Sequence, residues 1–118
     1  MHPRGVIVDG LGADLPVVIR AWIARHKVFY GWQMLPVEWL LAKQRYSLAP
    51  VLTALAPMPI VIFQGTADIV TPFSAAQAVA RGHSNVKFYS VTGGRHDNSY
   101  VLARAMYLDS IRKIVAFR

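Results

Sequence analysis

The sequence predicts an α/β fold, with three parallel strands flanked by helices in three layers. Two observations carry this. Short apolar runs at Gly5-Val6-Ile7-Val8-Asp9, Pro59-Ile60-Val61-Ile62-Phe63 and Val86-Lys87-Phe88-Tyr89-Ser90-Val91 each lead into a glycine-bearing turn. Stretches of helical character separate and follow them, giving the order β, helices, β, α, β, α. Strands that alternate with helices pair in parallel through right-handed crossovers. Three strands make a small sheet of this type, and at least one apolar edge strand is left without a neighbour.

Each element has its own signal. The first strand ends in Gly10-Leu11-Gly12, and a helical pattern then runs from Asp14 to Lys27, with Pro16 tolerated in its first turn. Residues 28–46 are rich in aromatics (Phe29, Tyr30, Trp32, Trp39, Tyr46), and irregular structure with short helices is expected there. Ser47 to Leu55 has room for one or two helical turns. The run Ile60–Phe63 is β-branched and aromatic throughout and is the clearest strand. Thr71-Pro72 then opens a helix, with Thr71 as N-cap and Pro72 at the first helical position; Ala75 to Ala80 propagate it and Gly82 closes it. The last helix is expected from near Tyr100 to Phe117. Tyr107, Leu108, Ile111, Ile114 and Val115 form its apolar face, and Asp109, Ser110, Arg112 and Lys113 its polar face.

Composition removes several classes of function. The 118 residues allow one domain, 1–118, and a 54% hydrophobic content is far too high for a disordered tail. With no Cys, a disulfide scaffold, a CxxC redox site and a Cys-ligated zinc are all impossible. No His-x-x-x-His or carboxylate cluster points to a metal, and no cofactor is expected. Gly10-Leu11-Gly12 begins a dinucleotide-loop spacing, but position 15 is Leu15, so the motif is incomplete. The net charge of +7 favours acidic surfaces, yet the basic residues are scattered, and a nucleic-acid reader shows a basic stripe or cluster. The uncharged stretch from Tyr46 to Ala67 is 22 residues long but contains Pro50, Pro57 and Pro59, which fit two short elements rather than a membrane span. Asp9 and Asp14 interrupt any signal-peptide core near the N-terminus, and a cytoplasmic location is expected.

Chemistry in a parallel sheet concentrates beyond the carboxyl ends of its strands. Three polar groups stand there: Asp9 after the first strand, Asp68 after the second and His96 after the third. Neighbouring strands lie about 4.8 Å apart, so loops from the second and third can bring Asp68 and His96 into contact. A carboxylate against an imidazole fixes the tautomer and stabilises the imidazolium, as a general base in acyl transfer requires. Taken singly, Asp68 reads as an ordinary turn residue and His96 as an exposed loop histidine. As an ordered pair at successive strand ends they read as a site.

The pieces Pro59, Ile60–Phe63, Gly65-Thr66-Ala67-Asp68-Ile69-Val70-Thr71-Pro72, Gly93-Gly94-Arg95-His96 and Tyr107 to Phe117 resemble the C-terminal part of an α/β-hydrolase. Gly5–Asp9 resembles the strand after the nucleophile helix of that family. Leu35-Pro36-Val37-Glu38-Trp39-Leu40-Leu41 resembles a segment of its bacterial serine-hydrolase and thioesterase-like members. The resemblance implies a partial α/β-hydrolase fold containing the last three strands of the usual sheet. It also implies that Asp68 is the acid and His96 the base of a Ser-His-Asp triad acting on a small acyl-type substrate. Arg95 stands where many relatives carry Gly.

The nucleophile is missing from this pattern. No G-x-S-x-G elbow occurs, and Ser47, Ser74, Ser84, Ser90, Ser99 and Ser110 all lack that context. The expected function is therefore the acid-and-base portion of an ester, thioester or amide hydrolase that is inactive alone and completed by an N-terminal half. The alternative is a non-catalytic α/β module that binds a partner. Self-association through the exposed strand edge is expected under either reading.

Overall fold

Ile60-Val61-Ile62-Phe63 offers no polar face, so a strand built from it must be covered on both sides. In the computed structural model, which describes residues 3–12, 14–26, 36 and 47–116, this run lies in the central strand of a three-stranded sheet. The elements in chain order are β1 (Val6–Asp9), α1 (Leu15–His26), α2 (Leu48–Ala54), β2 (Ile60–Gly65), α3 (Phe73–Arg81), β3 (Val86–Val91), α4 (Ser99–Leu102) and α5 (Arg104–Ala116). The sheet order is β1-β2-β3 and both pairings are parallel, with Val6 opposite Ile60 and Ile60 opposite Val86. Every residue of β2 is buried. Full burial is worth about 1.5–3 kcal/mol for each large apolar side chain, so this strand anchors the fold.

The alternation of β2 divides the core in two. Ile60 and Ile62 pack with Leu11, with Leu52 of α2 and with Ala76 and Ala80 of α3. Val61 and Phe63 face the other way, against Ala103 and, on α5, Tyr107 and Ile114. Phe63 is stacked between Tyr89, at 5.0 Å, and Tyr107, at 4.7 Å. Helix, sheet and helix form the three layers expected of the α/β class. Among the described residues no helix is long and apolar enough to cross a membrane. The aromatic stretch at 29–46 and the short helices expected in it lie outside the described residues, Pro36 excepted.

Two local expectations are corrected. Thr71 does not cap α3: the helix starts at Phe73, Pro72 occupies the cap position, and the Thr71 hydroxyl donates to Asp68 instead. A buried carboxylate is a stronger acceptor than a hydroxyl, and it wins the competition for that side chain. Gly82 closes α3 as expected, though in right-handed backbone (φ −80°), so the exit makes no use of glycine's left-handed freedom. The final helix is broken at Ala103, and the inward face of α5 is Tyr107, Ser110 and Ile114. Leu108, Ile111 and Val115 are exposed. Apolar residues fill two adjacent helical faces here, so periodicity alone cannot choose between them. Ser110 is tolerated inside because its hydroxyl donates to the carbonyl of Met106 at 2.8 Å.

The exits of β2 and β3 touch backbone to backbone. A Cβ on Gly65 would fall within the envelope of the Gly94 carbonyl, and one on Gly94 would lie 2.9 Å from the Gly65 Cα. Gly65→Ala is expected to destabilise the fold by about 2–4 kcal/mol, because backbone on both sides must shift. Gly82→Ala meets only one atom, at 3.9 Å, and is expected to stay within about 1 kcal/mol of the parent. Denaturant unfolding of the two variants checks the contrast.

Candidate functional site

The close approach of Gly65 and Gly94 sets up the site. Thr66 N donates to Val91 O at 3.0 Å, Ala67 N to Gly94 O at 2.9 Å, and Gly93 N to Thr66 Oγ1 at 2.9 Å. These bonds lock the loop carrying Asp68 to the loop carrying His96. Gly93 takes φ +71°, a left-handed conformation that favours glycine in the turn after β3. Beyond it, the Asn98 side chain accepts from Arg95 N at 2.6 Å and folds the His96 loop back onto α4.

The structure brings Asp68 and His96 together: Asp68 Oδ2 lies 3.1 Å from His96 Nδ1. The Asp68 side chain has no exposed surface, whereas that of His96 is 42% exposed. A buried carboxylate requires a full set of donors. Oδ1 accepts from the backbone N–H groups of Val70 and Thr71, both at 2.9 Å. Oδ2 accepts from Thr71 Oγ1 at 2.6 Å and from Gln64 Nε2 at 2.9 Å, besides facing the imidazole. Burial pushes this carboxyl up. The Thr71 hydroxyl and amide, His96 and the Val70 amide together outweigh that effect and hold it below the ordinary carboxylate value.

A carboxylate only accepts hydrogen bonds, so the Nδ1 that faces it carries the proton. Nε2 then holds the lone pair. The arrangement can take a proton from a donor on the open side of the ring, with a fixed negative charge behind it.

The turn after β1 completes the constellation. Gly10 adopts φ +70°, and a Cβ there would lie 3.0 Å from both His96 Nδ1 and the His96 carbonyl oxygen. Only glycine lets the backbone pass this close to the ring. Asp9, the third polar group at a strand end, makes no hydrogen bond to the pair among the described residues. Its Oδ1 is buried without a partner among the described residues, and its charge is felt at Tyr107. Burial first, and Asp9 second, push the Tyr107 phenol above its ordinary value. Ser99 is three residues from His96 but is fully buried on α4, where it cannot present a nucleophile to solvent.

No family model matches the chain, and no curated protein does. Among solved structures, a thermophilic esterase from Thermogutta terrifontis with malate bound is similar at a TM-score of 0.47 and 21% identity. The match covers 61% of this chain and 26% of that one, so the chain spans about a quarter of the esterase. A likeness of this size carries no argument. The α/β architecture rests on the parallel sheet itself, and the chemistry on the residues at its carboxyl end.

One residue escaped sequence reasoning altogether. Gln64 is fully buried near the end of β2. Its Nε2 reaches Asp68 Oδ2, Thr71 O at 2.9 Å and Thr71 Oγ1 at 3.2 Å, while its Oε1 accepts from Leu11 N at 2.8 Å. It ties the turn after β1 to the Asp68 loop. The available signal was an amide in a strand that is otherwise wholly apolar, since such a group must be satisfied where it is buried.

The Asp68 carboxyl has a lower pKa folded than unfolded, so its stabilising effect is complete above the unfolded value of about 3.9 and is lost as pH falls through the lower folded value. Thr71→Val is expected to raise the folded value, shift the acid limb of stability to higher pH and cost about 1–3 kcal/mol near neutrality. Carboxyl-carbon NMR titration and unfolding across the acid range check this; an unmoved Asp68 titration contradicts it.

Proposed function

We propose that the chain supplies the acid and base of an α/β-hydrolase-type enzyme that cleaves a small ester, thioester or amide by Ser-His-Asp chemistry. One observation carries the reading: a fully desolvated carboxylate faces Nδ1 of a histidine whose ring is open to solvent, at the carboxyl ends of adjacent parallel strands. In this reading a serine from outside these residues places its hydroxyl against His96 Nε2. His96 takes the serine proton as the oxygen attacks the acyl carbonyl, and Asp68 stabilises the imidazolium that forms. His96 then returns the proton to the leaving group, and a water molecule repeats the sequence on the acyl-enzyme. Asp68 and His96 are thus the catalytic residues in the proposal, with Thr71 and Gln64 holding the carboxylate in place.

The absence of a G-x-S-x-G elbow from the sequence sets the expected behaviour. The chain by itself is expected to leave a fluorophosphonate probe unreacted and to hydrolyse a p-nitrophenyl ester no faster than background. A separate segment bearing the elbow, added in trans, is expected to restore turnover that His96→Ala abolishes. Serine labelling in this chain alone, or turnover by it that depends on His96, overturns the claim that the nucleophile comes from elsewhere. Failure of an upstream elbow segment to restore activity favours the alternative, a non-catalytic α/β binding module.

The same reading makes β1 an association surface. Among the described residues no strand pairs with its outer edge. Because Val6 and Gly10 direct their N–H groups to β2, the alternating Ile7 and Asp9 direct theirs outward. An open apolar edge templates further pairing. Light scattering at about tens of micromolar is expected to show dimers or larger species. A stable monomer there shows the edge to be protected.

A further inference from the structure

The backbone ladder joining β1 to β2 ends where Gly10 N donates to Phe63 O at 3.1 Å. One residue on, Leu11 N donates to a side chain instead, the Oε1 of Gln64, at 2.8 Å. The bond is buried and Gln64 has no exposed surface, so water cannot stand in for either partner. A side chain thus extends the ladder by one bond beyond the last paired residues, Asp9 and Phe63.

The Gln64 amide has one workable orientation. Leu11 N only donates, so an oxygen must face it. The Asp68 carboxylate and the Thr71 carbonyl only accept. Asp68 Oδ2 and Thr71 O each lie 2.9 Å from Nε2, which has a hydrogen for both. Turning the amide over would set its oxygen against two acceptors and leave a buried N–H facing another donor. The group is planar and conjugated, so a charged acceptor at Nε2 also strengthens Oε1 as an acceptor.

Both ends of this amide lead to the imidazole. Oδ2, which Nε2 holds, faces His96 Nδ1 at 3.1 Å. The turn that Oε1 holds is the one the ring rests against: a Cβ on Gly10 would lie 3.0 Å from Nδ1 and 3.1 Å from Cε1. Gly10 Cα sits between the two bonds that pin the turn, one from its own N–H and one from that of Leu11.

We propose that Gln64 is a positioning residue for both members of the pair, holding Asp68 through Nε2 and the wall of the His96 ring through Oε1, Leu11 and Gly10. The amide thereby couples the charge on Asp68 to the turn after β1. The positioning does not rest on the hydrolase reading; its effect on turnover does.

The test uses the full chain and nitrogen NMR of the imidazole. In the wild type the neutral ring is expected to favour the Nδ1–H form over the Nε2–H form at least about tenfold, the worth of one hydrogen bond to a charged group. Gln64→Met, which is close in size and removes both hydrogen bonds, is expected to cut that preference about threefold or more. An unchanged ratio in the folded variant, as a purely structural role predicts, overturns the proposal. A second measurement needs no variant and decides alone should Gln64→Met not fold. As acid protonates Asp68 in the wild type, the Leu11 amide resonance is expected to move with the Asp68 carboxyl titration, although Leu11 N bonds only to Gln64 Oε1. A stationary Leu11 amide overturns the coupling. In the enzyme completed in trans, Gln64→Met is expected to lower kcat about tenfold or more and to change KM less than about threefold, because the amide touches the acid and not the substrate. A lost tautomer preference in Gln64→Met, combined with no His96-dependent turnover by the completed wild-type enzyme, removes the hydrolase reading and leaves the positioning role standing.

Discussion

Two glycines that touch hold the carboxyl end of the sheet together. Gly65 closes β2 and Gly94 lies in the loop after β3, with their backbones so close that neither position has room for a Cβ. Strand pairing sets the spacing of the two strands, but it does not by itself make their exit loops converge. The glycine contact does so, and it brings Ala67 N onto Gly94 O and Thr66 N onto Val91 O. Asp68 and His96 are carried on the loops joined in this way. Gly10 performs a related service from β1, passing its backbone against the His96 ring where a side chain would displace it.

Electrostatics then follow from burial. Taking the Asp68 carboxylate out of water is costly, and the cost is met locally by two amides, a hydroxyl, the Gln64 amide and the imidazole. Because these groups are preorganised in the fold, the charge is fixed in position and direction. The pair Asp109–Lys113 offers a useful contrast. It is closer, at 2.6 Å, but its side chains are half exposed or more and lie one helical turn apart on α5, so water and salt screen it. Distance alone does not fix a charge in place; desolvation and a complete set of partners do.

The apolar surface of the molecule is unevenly finished. β2 is sealed between two cores, while among the described residues no strand pairs with the outer edge of β1, and α5 turns Leu108, Ile111 and Val115 outward. Near that edge, Arg4 Nη1 donates to Val115 O at 2.8 Å and ties the approach to β1 to the end of α5. Isolated exposed apolar residues are ordinary on a protein surface, but an open strand edge requires protection or a partner.

The sequence by itself determined the strands, their parallel order and the identity of the facing pair. β-branched runs that stop at glycine, separated by helical segments, admit few arrangements, and a polar residue just past the end of such a strand has few places to go. What only the tertiary structure decided is how those residues are used. Thr71 has the residue type and position of a helix cap, but the buried Asp68 captures its hydroxyl. Ser110 sits on the face that periodicity marks as polar, yet it is buried, because α5 meets the sheet through Tyr107 and Ile114 and the Met106 carbonyl satisfies the hydroxyl. Gln64 signals locally that its amide must be satisfied, but not by what: its partners, Leu11, Asp68 and Thr71, lie 53, 4 and 7 positions away, on two loops that meet only in the folded chain. Local pattern records which groups prefer water; only packing fixes which donor reaches which acceptor.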